Sequence, residues 1–383
     1  MVVRRAVLVL AAAATLGGCT GDGTERPAGG SPPTRVGTAD LTIGQTDGAD
    51  ELVFSRISGL TVDKRGRIYV ADLESHEVRV FTPDGRLAYR IGRRGQGPAE
   101  LQEPCCLALR NDDRTLWVRD NGNLRYESFT LGDTSATYGS MIRFAQRDNR
   151  WAPLTFDADN TLIDIGSRPS NSPGETELVR FHLDTAGRVV REDTILRAPN
   201  DSVPRYTVQR KLPNGFAIMY LWPLFGPGEL HAHGPNGERA RAVSSRYSIA
   251  WYGADGRLVR TIEQPREAPP LSEAERARSE QNIQDYMKRL SLPRGDIPFG
   301  VDDRKQPLDW LWFDQEGRLW VRLTVADGEA PMAHVYSPEG KLLFTAQWPE
   351  GTDLSSGAAR GDVAYGIQRD SLDVQRVVRL RFR

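Results

Sequence analysis

Across its 383 residues the chain holds no G-x-S-x-G elbow, no Walker loop, no dinucleotide fingerprint and no D-x-D-x-D-G calcium spacing. The familiar nucleophile, nucleotide and calcium sites are therefore not written in recognisable form. Charge of one sign is lacking too. Fifty Lys and Arg stand against 51 Asp and Glu, a formal net charge of −1. A nucleic-acid footprint needs a concentrated basic surface, so no nucleic-acid partner is expected. Histidine is scarce at five residues and cysteine scarcer at three. His231 and His233 alternate in "LHAHG" and on a strand would face one side, but two ligands are too few for a closed zinc site. His76, His182 and His334 add no helpful spacing. Read as loop residues, the pair is simply solvated. No cofactor is expected, and a monomer is.

A membrane-spanning run is also missing. The apolar stretch "AVLVLAAAATL" (Ala6–Leu16) is too short to cross a bilayer comfortably, and Arg4 and Arg5 precede it. It ends in "LGGC", Leu16–Cys19. Small residues followed at once by cysteine resemble the lipobox of bacterial lipoproteins. That resemblance implies cleavage before Cys19, two acyl chains on its thiol and one on the new amine. Several acyl chains anchor stably where one would be marginal. An ordinary export signal with a chance cysteine is the other reading. Thr20 follows where Asp would mark inner-membrane retention in the family, so an outer-membrane location is expected. Without residues 1–18, which carry two Arg and no acid, the charge becomes −3. Residues 19–35, rich in Gly, Pro, Ser and Thr, read as the lipidated cysteine and an unstructured tether reaching roughly 20–25 Å. Membrane contact is expected through the lipid anchor alone.

What is present is repetition. "DKRGRIYV" (Asp63–Val70) and "DQEGRLWV" (Asp314–Val321) share one pattern: Asp, two polar residues, Gly, Arg, then an apolar residue, an aromatic and Val. Around them run strand-like segments in groups of four. The first unit has "ISGLTVD", "RIYVADL", "EVRVFTP" and "RLAYRIG". The fourth is read as "YTVQRKL", "FAIMYLW", "YSIAWYG" and "RLVRTIE", and the fifth as "LDWLWFD", "RLWVRLT", "AHVYSPE" and "KLLFTAQW". Tight polar turns with Gly, Asn or Asp separate them. Four strands per roughly 40–50 residues is the period of propeller blades. The sixth unit lacks an outer strand, and the spare "DLTIGQ" (Asp40–Gln45) is placed to close it.

The run "GRIYVAD…VRVFTPDG" resembles the NHL-type repeat. Residues 40–383 resemble the six-bladed β-propeller lipoproteins of bacteria, including the Gly-rich "IGRRGQGPAEL" after the first unit. The fold class expected for 36–383 is all-β: a six-bladed β-propeller, its last blade closed by the N-terminal strand, with a helical insertion between blades 4 and 5. That insertion, about 271–291, has Ser272 and Glu275 as a capping box and an apolar face of Ile283, Tyr286, Met287 and Leu290. It reads either as a lid over the channel or as a helix packed on the rim.

Tight turns join first to second and third to fourth strands, so they share one rim. The longer connections, Leu73–His76, Gly92–Pro104, Asn121–Asn123, Gly166–Thr176, Pro223–Arg246 and Pro265–Pro307, fall on the other. Binding residues concentrate on such loops. Asp72, Arg119, Asp120, Trp222, Arg322 and Arg369 fall near that mouth, with Cys105 and Cys106 at the threshold of the second blade. Arg with an aromatic suits an anionic ligand or a protein hot spot. The same Arg and Asp also suit pairing that ties neighbouring blades. The adjacent cysteines read as a vicinal disulfide or as two buried thiols. The function expected is a binding module for an envelope protein, peptide or glycan. The alternative is a metal-dependent hydrolase or lyase of the propeller type.

Overall fold

The computed structural model describes residues 32–143, 154–165, 175–199, 203–204, 206–212 and 215–383. Cys19, the apolar run and most of the tether lie outside these residues, as does most of the 166–176 connection. The chain begins with strand β1 (Thr34–Ile43) and continues as antiparallel meanders. The first sheet contains β2 (Ile57–Val62), β3 (Ile68–Asp72), β4 (Glu77–Phe81) and β5 (Leu87–Ile91). The second contains β6 (Pro104–Leu109), β7 (Thr115–Asp120), β8 (Arg125–Leu131) and β9 (Ala136–Arg143). The third contains β10 (Thr155–Phe156), β11 (Leu162–Ile165), β12 (Glu175–Leu183) and β13 (Val189–Pro199). A separate hairpin, β14 (Tyr206–Leu212) and β15 (Gly215–Leu221), interrupts the series. The fourth sheet follows as β16 (Glu229–His233), β17 (Arg239–Val243), β18 (Ser248–Tyr252) and β19 (Leu258–Glu263).

Helix α1 (Glu273–Leu290) comes next, capped by Ser272 and Glu275 as the capping box requires. Two last meanders complete the chain. One is β20 (Leu308–Phe313), β21 (Leu319–Leu323), β22 (Met332–Tyr336) and β23 (Leu342–Gln347). The other is β24 (Thr352–Arg360), β25 (Val363–Arg369) and β26 (Gln375–Phe382). Strand β1 joins them into one eight-stranded sheet. It pairs antiparallel with β26, Gly37 opposite Phe382 and Ile43 opposite Val377, and briefly parallel with β23. The spare N-terminal strand thus closes the last meander, and its contact with β23 adds a bridge not expected from sequence.

First strands pack on first strands. β2 lies on β6, β6 on β10, β16 on β20, β20 on β24, and β24 returns to β2. Apolar side chains fill the wedges between neighbouring sheets. Tyr69, Val78 and Val80 meet Leu107, Leu116 and Val118 between the first and second. Trp251 meets Phe313 and Val321 between the fourth and fifth meanders. Radial sheets with wedge-shaped cores and a contact running back to the start form a β-propeller.

The repeated phrase has one physical job. In the turn from β2 to β3, one Asp63 oxygen accepts the backbone N–H of Arg65 and Arg67, both at 2.9 Å, and the other accepts Arg67 Nε at 2.7 Å and the Tyr69 hydroxyl at 3.2 Å. Asp314 repeats this between β20 and β21. It takes the N–H of Glu316 and Arg318, then Arg318 Nε at 2.6 Å and the Trp320 indole N–H at 2.8 Å. Gly66 and Gly317 occupy the turn position with φ of 81° and 72°, where a Cβ would be strained. Asp157, Asp184 and Asp370 hold their own turns through the same two backbone positions.

One unit of the sequence reading needs correction. "YTVQRKL" and "FAIMYLW" are not the inner strands of the fourth sheet but the separate β14–β15 hairpin. The inner strands are "ELHAH" and "RARAV", so Pro223–Arg246 is not one long loop.

Asp314 is buried against Arg318 and Trp320. Asp314→Ala removes the acceptor of two turn N–H groups, Arg318 Nε and the buried Trp320 indole N–H, while Arg318 keeps Glu316 at 3.3 Å, and is expected to cost about 1–3 kcal/mol, read from the denaturant midpoint. Asp184→Ala, at an exposed turn, is expected to leave that midpoint nearly unchanged.

Candidate functional site

The mouth on the long-loop rim is shaped by bulges. β2, β6 and β20 each carry one extra residue near the end where they enter the sheet: Ser58, Cys106 and Asp309. A bulge leaves its residue out of the ladder and re-aims its side chain. Ser58 Oγ donates to the Pro104 carbonyl at 2.6 Å, tying the first sheet to the second. Asp309 accepts Arg322 Nε at 2.9 Å. Cys106 sits at φ 42°, with its Sγ 2.7 Å from Cys105 Sγ. Both are half-buried thiols and no bond joins them.

The aspartates at the second-strand ends hold the entering backbone. Asp72 accepts the N–H of Ser55 and Arg56, each at 3.1 Å, and the Ser75 hydroxyl, with Arg79 at 3.4 Å. Asp120 does the same for Gln102 and Glu103 and also accepts the N–H of Gly122 and Asn123. Both are fully buried. Arg119 is buried on β7, opposite Cys105 in the ladder. Arg322 bridges Asp309 of its own meander to Asp353 of the next. Arg369 pairs locally with Asp373 at 3.1 Å. Asp72, Asp120 and Arg369 are thus engaged within their own neighbourhoods, and Arg322 ties two meanders together. Trp222 differs, being 64% exposed beyond the end of β15.

Arg322 also lines a cleft of about 330 Å³ between the fourth and fifth meanders. Its walls come from the Phe225–Gly228 turn, Leu230, Ser244, the 305–309 segment and the 322–325 end of β21. Lys305, buried here, donates to the Val325 carbonyl at 2.9 Å and pairs with Glu275 of α1. Ser244 Oγ accepts from Gly228 N, and Gln306 donates to the Phe225 carbonyl. None of Lys305, Ser244 and Gln306 was singled out from sequence. Their signal is tertiary, because each earns its place through a partner far along the chain.

Beside the cleft stands the insertion. Ile283, Tyr286 and Leu290 of α1 pack on Val208 and Leu221 of the hairpin, with Met219, Met287 and Phe299 around them. The helix thus rests on β14–β15. Its N-terminus is fastened near the cleft by Ser272 to Asp327, by Glu275 to Lys305, and by Ser279 to the Leu224 carbonyl. The hairpin register puts Phe216, Ile218 and Tyr220 on the face opposite Met219 and Leu221. Phe216 is 69% and Ile218 56% exposed.

His231 and His233 lie on β16, not in a loop. His231 Nε2 meets Glu229 Oε2 at 3.2 Å, and Arg241 takes the other Glu229 oxygen at 2.6 Å. His233 is buried, with neither ring nitrogen hydrogen-bonded. Burial, with His231, Arg239 and Arg180 nearby, pushes its pKa down to about 3. Among the described residues no group of three or more His, Cys, Asp or Glu is placed to share a metal ion.

Residues 54–81 match the NHL repeat. Among curated proteins none matches the chain. Among solved structures it is similar to a protein described as exported from Bacteroides fragilis, at 12% identity over 91% of this chain and 99% of that one, TM-score 0.48. It is also similar to virginiamycin B lyase of Staphylococcus aureus, at 11% identity over 89% and 98%, TM-score 0.44. The RRP9 WD40 repeats align at 11% identity over 91% and 100%, TM-score 0.49. At these scores neither activity nor partner passes from them to this chain.

His233 gives a pH prediction. Its folded pKa lies below the unfolded value of 6.5, so the unfolded chain binds the proton first. Its contribution to stability is complete above pH 6.5 and is lost as pH falls toward 3, at up to about 1.4 kcal/mol per pH unit. His233→Leu is expected to flatten the loss of stability between pH 7 and pH 4, as followed by urea unfolding. An unchanged pH slope would place the acid sensitivity elsewhere.

Proposed function

We propose that this chain is an exported, lipid-anchored six-bladed propeller that binds an apolar protein or peptide segment at the cell envelope through its long-loop rim. The observation that carries the reading is the uncovered face of the β14–β15 hairpin. A strand apolar on both sides belongs between two layers, yet here one face packs on α1 and the other is open. Phe216 and Ile218 on that face, with Trp222 and Leu224 just past the strand and the Tyr220 ring 6.3 Å from that of Trp222, form an exposed aromatic and aliphatic stripe. Exposed stripes of this kind mark interaction sites, and large aromatics carry most of the energy at protein interfaces. Asp72 and Asp120 are filled by backbone N–H groups and Arg322 by two aspartates, which leaves the apolar side chains as the surface for a partner.

The anchor and the blade count belong to the same reading. The lipobox-like "LGGC" supports acylation at Cys19. The six meanders, with β1 supplying the outer strand of the last, support six blades.

The test uses a photo-crosslinking residue at position 218 of the full chain in envelope-bearing cells. One discrete adduct is expected, with none from the same residue at exposed Leu372. Trp222→Ala is expected to weaken that partner's binding by at least about 2 kcal/mol while leaving the melting temperature unchanged. Equal labelling from both positions would sink the binding surface. A stoichiometric metal found by elemental mass spectrometry and lost to a chelator would turn the reading toward the enzyme. Separately, fatty-acid labelling of the full chain in cells is expected to mark the wild type and not Cys19→Ala. A wild type that takes up no label would remove the anchor.

A further inference from the structure

Neighbouring residues on a regular strand point to opposite faces, so their side chains cannot meet. Cys105 and Cys106 escape this rule because the β6 bulge falls between them. Cys105 stands opposite Arg119 and Leu107 opposite Val118, with Cys106 as the extra residue. Its φ of 42° is a conformation that L-residues rarely adopt, and it turns the second thiol toward the first. The sulfurs lie 2.7 Å apart, and both residues are half-buried. The first sheet accommodates this turn. A Cβ on Gly59 would come within 3.1 Å of Cys106 N, so glycine lets the bulged backbone approach. Ser58 holds the preceding Pro104 carbonyl, and Asn121 Nδ2 reaches Cys105 Sγ at 3.4 Å.

We propose that Cys105 and Cys106 form a redox-active pair that closes into a vicinal disulfide by exchange with an external small-molecule disulfide. One cysteine thiolate attacks a sulfur of that disulfide, forms a mixed disulfide and releases one external thiolate. The neighbouring cysteine, deprotonated to solvent, then attacks the protein sulfur of the mixed disulfide and expels the second external thiolate. Two protein thiols are oxidised and one external disulfide becomes two thiols. The second displacement is fast because the bulge already holds the resolving sulfur beside the first. An eight-membered ring is strained, so the bond stays reducible and the pair responds to its surroundings rather than locking. The exchange chemistry does not depend on the binding surface or on the anchor, and it is tested apart from them.

The experiment equilibrates the purified full chain in buffers of reduced and oxidised glutathione and then quenches with an alkylating agent. The peptide holding residues 105 and 106 is read by mass spectrometry. The wild type is expected to pass in one step from two alkylated cysteines to a peptide lighter by two hydrogens, with little glutathione adduct. Cys105→Ser and Cys106→Ser are each expected to accumulate that adduct on the remaining cysteine. Circular dichroism checks that each variant is folded, and the wild-type titration stands whatever the variants do. A wild type that stays doubly alkylated at every ratio, or that itself accumulates the adduct, would overturn the proposal.

Discussion

Everything in this molecule hangs from a carboxylate at the start of a tight turn. Asp314 places one oxygen on two backbone N–H groups and the other on an arginine and an indole, all within the seven residues Asp314–Trp320. That fixes the turn, the register of β20 on β21, and the direction in which Trp320 enters the wedge between meanders. Asp63 does the same for β2 and β3 with a tyrosine in place of tryptophan. These bonds are local, so the geometry of each such hairpin is set within its own turn. Buried carboxylates are tolerated there because every lone pair that matters has a donor.

Once the near rim is spent on turns, variation is pushed to the far rim, and there too the charges are used internally. Asp72 and Asp120 hold the backbone that feeds their own sheets, and Arg322 clamps two meanders together. A group already satisfied in this way must break good hydrogen bonds before it can serve a ligand, which makes it a poor first contact. The mouth therefore offers a partner shape and apolar area more than charge. This is why Trp222, rather than the arginines, stands out among the residues picked from sequence.

Features that depend on neighbours in the chain were legible in the sequence, and features that depend on partners across space were not. The Asp-x-x-Gly-Arg turns and the cap at Ser272 could be read locally, and the closing strand from the outer strand that the last unit lacks. The fourth sheet could not. The apolar residues that "ELHAH" and "RARAV" bury are Leu230 and Ala232 and, opposite them, Ala240 and Ala242, so their apolar signal is faint. "FAIMYLW" shouts by comparison, because β-propensity measures fit to a half-buried surface and says nothing about which sheet supplies it. The bulges at Ser58, Cys106 and Asp309 were hidden for a related reason. An extra residue exists only relative to the strand it faces.

The insertion shows how firmly a late addition can be built in. Glu275 closes the capping box by accepting Ser272 N, and its other oxygen meets Lys305, which also donates to the Val325 carbonyl in the cleft wall. Both partners of that ion pair are buried. Swinging the helix away would leave each charge without its counter-ion in a poorly solvated place, and breaking a buried pair is far more costly than breaking one at the surface. The helix in turn carries the hairpin on its apolar face. The hairpin is thus a fixed shoulder of the rim rather than a hinged lid. A stripe held in this way would spare the proposed partner the entropy of ordering it, which is the advantage a small apolar surface needs.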